Sequence, residues 1–274
     1  MNSAPPEPVT RPLSFVAAAL WTLLAAMVVA GTVTAIDSVH PGAFTDVVTI
    51  AACRLLGYSV VFFAILRVHE PESSIREVLA LRRSPFLLVL LSAVVGVALA
   101  PVASWVESVL AARFPPSPTD VEAVARLLDA PTAAKKVALV VALGVVSPAC
   151  DALFFGGALF TPLKRGRRAD FVVLAISAYE TLFAAPSARD AASMLGALLA
   201  MAWLRAVTGS TVPALVARVA FFAVQVVPLV VGRELPLRAP IVVGAALAGA
   251  AALAAIAAVG KRSARVLDAR LQDG

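Results

Sequence analysis

The chain has 274 residues, of which 61% are hydrophobic and only 15% charged, and its mean hydropathy is +0.92. Charged residues alone run to about 25% in soluble domains, so a soluble fold is excluded and an all-α polytopic membrane protein is expected. The formal charge of +6 gathers at the ends of apolar runs, where lipid headgroups and the positive-inside rule account for it and no nucleic-acid partner is implied.

Residues 1–12 are polar and proline-rich and read as a flexible arm. The apolar run that follows, 13–36, is too long for the core of a signal peptide and is expected to stay as a transmembrane helix. Stretches of about 17 to 25 apolar residues can span a bilayer. By that measure about eight spans are expected in one bundle, at 13–36, 47–66, 85–103, 137–163, 171–185, 191–204, 212–231 and 241–259, the fifth and sixth being short. They form a single domain over 13–260, followed by a basic tail, 261–274. The connection 67–83, the cluster Lys164, Arg165, Arg167 and Arg168, Arg205 and the tail alternate onto one side. The positive-inside rule makes that side cytoplasmic, with both termini on it, and the inner (plasma) membrane the expected location. On the other side, Thr119 followed by Glu122 reads as a capping box. Val121, Val124, Ala125 and Leu128 then recur at helical spacing, which predicts a short amphipathic helix on the membrane surface.

Four charges fall inside the predicted spans: Arg54, Asp151, Glu180 and Arg218. A charge at the bilayer centre costs roughly 2.5 to 3.5 kcal/mol on insertion scales, so each needs a partner or a wet cavity. Two acids and two bases invite ion pairs. Pro148, in the middle of the fourth span, removes the donor to the carbonyl of Gly144 and predicts a kink. The two cysteines, Cys53 and Cys150, both lie within apolar segments, so neither a disulfide framework nor a metal site is expected, and nothing calls for a cofactor.

The stretches "SPACDALFFGGALF", "AISAYETLFAAPS" and "MLGALLAMAWLRAVTGSTVPALVARVAFF" resemble the three motifs of the CAAX protease and bacteriocin-processing (CPBP, or abortive-infection) family of intramembrane glutamate proteases. The likeness covers about 47–231, with the motif-bearing core at 137–231. That family carries two adjacent glutamates with an arginine four residues beyond the second, then a histidine, then T-G-S-x-x-P-A-x-x-x-H-x-x-x-N. Thr208, Gly209, Ser210, Pro213 and Ala214 keep the frame of the third motif. The chemistry is replaced: Cys150 and Asp151 stand at the glutamates, Phe155 at the arginine, and Ala184 (or Ser187 in a shifted register) at the first histidine. Arg218 stands at the second histidine and Phe222 at the asparagine.

In the family the first glutamate is held to activate water, which needs a group of usable pKa. Arg218 keeps its proton and cannot serve. The resemblance therefore implies a degenerate member, a pseudoprotease that binds or scaffolds a transmembrane or prenylated peptide, with Asp151 neutralised by Arg218 and Glu180 paired with Arg54 or sharing Arg218. Two other readings stand beside it. One is an active endopeptidase using Asp151 and Glu180 as a carboxylate pair, or Cys150 as a nucleophile, although the only histidines, His40 and His69, lie in loops. The other is a membrane transport component.

Overall fold

The computed structural model describes residues 12–184, 187–233, 235 and 237–272, with the side chains of 184 and 260–272 excepted. Among these, ten helices and one 3-10 turn (Ala43–Thr45) make up the regular structure, with no strand. The helices are α1 Phe15–Val39, α2 Val47–His69, α3 Ile75–Val78, α4 Phe86–Arg113, α5 Pro118–Leu127, α6 Ala133–Lys164, α7 Ala169–Ala184, α8 Ala188–Thr208, α9 Thr211–Val231 and α10 Ala239–Gln272. Most starts are written locally in the sequence. Ser14, Asp46, Ser74, Ser117, Thr132, Ser187 and Ser210 each accept a backbone N–H in the first turn of the helix that follows, meeting donors that have no intrahelical partner.

Seven helices are long and apolar enough to cross a membrane: α1, α2, α4, α6, α8, α9 and the 239–259 part of α10. The protein is thus an all-α, multi-pass membrane protein, as its composition requires. The remaining expected span, 171–185, is α7, with only 16 residues. At 1.5 Å per residue it is about 24 Å long, short of a hydrocarbon core of about 30 Å. Other boundaries move outward: α4 runs ten residues past the expected end at 103 and absorbs Pro101, and α8 gains a turn at the C-terminal end. Residues 1–11 of the expected arm and the side chains of the basic tail lie outside the described residues, while the backbone of α10 stays helical through Gln272. The surface helix exists as α5, which buries none of its residues. Its capping box is formed by Ser117 and Asp120 rather than Thr119 and Glu122. Pro118, lacking an N–H, fits the first helical position and sets the start two residues earlier, leaving Glu122 to pair with Arg126.

Two apolar clusters divide the bundle. One joins α1, α2, the second half of α6 and α7 around large side chains, including Tyr58, Phe154, Phe155 and Phe160. The other joins α4, α8, α9 and α10 and is richer in alanine. Small residues let those helices approach closely. A Cβ placed on Gly96 of α4 would lie 2.0 Å from the carbonyl oxygen of Ala217 on α9, so that crossing tolerates glycine alone. Leucine, valine and methionine side chains such as Leu20, Leu23, Met27 and Val97 point outward, as a lipid-facing surface demands.

One end of the bundle is tied by polar contacts. Arg165 pairs with Glu70 at 2.6 Å, and Arg167 donates to the carbonyls of Leu13 and Leu163. The hydroxyls of Thr161, Ser210 and Thr211 donate to the carbonyls of Val78, Arg82 and Leu79. The 67–83 connection, the 164–168 cluster and the turn after α8 therefore share this end, which is called the basic end below.

Candidate functional site

The four intramembrane charges come together where the two apolar clusters meet. Arg54 and Tyr58 are one turn apart on α2 and therefore share a face. Both reach Asp151 of α6: the Tyr58 hydroxyl donates to Oδ1 at 2.9 Å, and Arg54 Nε stands 3.7 Å from the same oxygen. Glu180 of α7 takes a two-pronged contact from Arg218 of α9, Nη1 to Oε1 and Nη2 to Oε2, and both side chains are almost fully buried. Of the two partners expected for Glu180, the structure selects Arg218, and it corrects the expectation for Asp151, which is met by Arg54 rather than by Arg218. The physical reason is reach and shape. The short aspartate side chain meets only the adjacent face of α2, while the longer glutamate presents both oxygens to the guanidinium fork, the geometry in which arginine binds carboxylate best.

Helix α6 is shaped for this site by two wide turns. Residues 142–146 are π-helical, and the N–H of Ser147 bonds back to the carbonyl of Ala142. The turn precedes Pro148 and absorbs the irregularity that a proline imposes on a helix. A second π turn, 154–159, sits just past Asp151. Its Gly156 carbonyl turns outward to accept from Arg205 Nε at 2.8 Å and from Thr211 Oγ1 at 3.3 Å.

The motif positions take these places. Cys150 is buried and makes no disulfide, and it lines an apolar cavity of about 230 Å³ with Leu55, Tyr58, Phe62, Leu79 and Phe154. Phe155 is 1% exposed and meets Tyr58, Phe154 and Phe183 edge to face. The Arg54 guanidinium lies over the rings of Tyr58 and Phe183, a favourable placement for a cation. Phe222 is half-buried and stacks edge-on with Phe221. Ala184 closes the backbone of α7, and its side chain lies outside the described residues. Ser187, the alternative position, is occupied as the cap of α8, bonded to Asp190. The T-G-S segment is a helix junction: Gly209 ends α8 at φ +66°, and Ser210 starts α9. Neither histidine enters the cluster. His69, at the end of α2, accepts from Trp21 Nε1 at 3.1 Å, and His40 caps α1.

Two buried polar atoms in this region, Ser177 Oγ and Arg218 Nε, have no hydrogen-bond partner among the described residues. Ser177 lies one turn before Glu180 and faces the same side of α7. Two contributors are not singled out by the sequence reading of intramembrane charges. Tyr58 could have been found from its i, i+4 spacing to Arg54. Arg205 reads as a loop charge but is 4% exposed, and its signal was its place four residues before Gly209, inside the last turn of a helix. No family model, curated protein or solved structure matches this chain.

Proposed function

We propose that this chain is a catalytically inactive homologue of the intramembrane CAAX-type proteases, which holds a transmembrane or prenylated peptide against α2 and α6 without cutting it. The observation that carries the reading is the environment of Cys150. The residue standing where the family has its water-activating glutamate opens onto an apolar cavity of about 230 Å³, while both nearby carboxylates are engaged by arginines. Water activation needs a free base within hydrogen-bond reach. Asp151 and Glu180 each answer to a guanidinium instead of sharing a proton with one another. An apolar cavity suits a prenyl or aliphatic side chain, since burial of apolar surface contributes about 25 cal/mol per Å². On the same reading the basic end faces the cytoplasm and the protein sits in the inner (plasma) membrane.

The test is photo-cross-linking of a farnesylated peptide carrying a diazirine to the detergent-purified chain, with peptide integrity followed by mass spectrometry. Labelling of α2 and α6 with intact peptide is expected; Leu153 and Ser59 also line the cavity, and Leu153→Trp or Ser59→Trp, which fill it, should suppress labelling. Cleavage by the unmodified chain that disappears in Asp151→Asn would replace this reading with that of an active peptidase. Labelling indifferent to both tryptophan variants would discard the cavity as the binding place.

A further inference from the structure

At the basic end a second cavity, of about 270 Å³, lies between the loop after α3, the end of α6 and the turn after α8. Arg82, Lys164, Arg165 and Arg205 line it, with Glu77 the only carboxylate among the lining residues. At about 30 Å³ for each water, it has room for a phosphate group and several waters.

The charges here are not matched as they are in the spans. Arg165 is paired with Glu70. Glu77 is occupied within its own turn, where its Oε2 accepts the N–H and the hydroxyl of Ser74. Those bonds hold its carboxyl below the usual carboxylate range. Arg82 and Lys164 have no carboxylate within ion-pair distance among the described residues. Arg205 is 4% exposed. Its Nε and Nη2 donate to neutral acceptors, the carbonyl of Gly156 and the hydroxyl of Thr161, and its guanidinium stacks over Phe160 at 4.9 Å.

A buried guanidinium set by a π-turn carbonyl, a hydroxyl and a ring face is a fixed cation, and arginine is well suited to phosphate oxygens. Holding Arg82 and Lys164 beside Arg205 with no carboxylate paired to either costs repulsion that a bound anion would offset. We infer that this cavity binds a phosphate group, contacted by Arg205, Arg82 and Lys164. The group could belong to an anionic phospholipid in the adjacent leaflet, as basic pockets between transmembrane helices do bind, or to free phosphate. The inference is independent of any peptide held near Cys150.

Arg205 carries structural bonds, so the test uses Arg82→Gln with Lys164→Gln, whose side chains make no hydrogen bond or ion pair among the described residues. The detergent-purified full chain is titrated at constant ionic strength with inorganic phosphate, and separately with phosphatidylglycerol against phosphatidylcholine in mixed micelles. Thermal stability is the readout. Saturable stabilisation that is weakened on the order of tenfold in the double variant, and unchanged in a control carrying Arg83→Gln with Arg168→Gln, is expected. A response to phosphate identifies the free anion, and a response to phosphatidylglycerol alone identifies the headgroup. No saturable response to either, or an equal loss in the control, would overturn the site.

Discussion

Arg218 and Arg205 are equally hidden, each 4% exposed, yet they are used in opposite ways. Arg218 spends both terminal nitrogens on Glu180, and Arg54 and Tyr58 close over Asp151, so Arg54 and Arg218 each meet an acid. Arg205 meets no acid and stands with Arg82 and Lys164 around a cavity. A charge matched by its own chain fastens helices together, while one left with neutral partners at the edge of a cavity remains available to something from outside. Burial alone does not separate the two cases. The identity of the acceptor does.

The sharpest way to break this contrast is to remove one member of the tightest pair. Arg218→Ala or Glu180→Ala should each cost about 3–5 kcal/mol, the usual penalty for stranding a buried charge. Arg218→Leu combined with Glu180→Leu should recover most of it. Unfolding in detergent, read as a double-mutant cycle, measures the coupling. Arg54→Ala should cost less, about 1–3 kcal/mol, because its contact with Asp151 is single, longer and partly exposed and Tyr58 still serves the carboxylate. Tyr58→Phe should cost about 0.5–1.5 kcal/mol by the same assay, the worth of one hydrogen bond. At the other pole, Arg82→Gln with Lys164→Gln, in the absence of phosphate or anionic lipid, should change stability by no more than about 0.5 kcal/mol. A loss as large as that of Arg218→Ala would erase the distinction between fastening and receiving charges.

The fold class could be read from hydropathy because apolar length is a local property, and seven of the eight expected runs became helices long enough to cross a membrane. The helix starts were equally local, except where Pro118 moved the cap of α5 from Thr119 to Ser117. The four intramembrane charges were visible for the same reason. Their pairing was not, since it depends on how α2, α6, α7 and α9 are rotated about their axes, and identical hydropathy permits Asp151 to face either arginine. Arg205 escaped because a charge near a helix end reads as a solvated loop residue. Only the π turn, which aims the Gly156 carbonyl at it, reveals that it is buried. That turn follows from packing across helices and leaves no periodic mark.

Helix α7 has a consequence for the surrounding lipid. It is about 24 Å long at 1.5 Å per residue, and Phe171, Leu174 and Leu182 along it are more than half exposed. A short segment with an apolar outer face obliges the neighbouring bilayer to thin or its own flanks to adjust, at a fraction of a kcal/mol per Å of mismatch. If α7 sits in the bilayer with the other helices, the lipid along that flank is expected to thin. Membranes of shorter acyl chains would accommodate it at less elastic cost, and other proteins that prefer thin bilayer would be drawn to that flank.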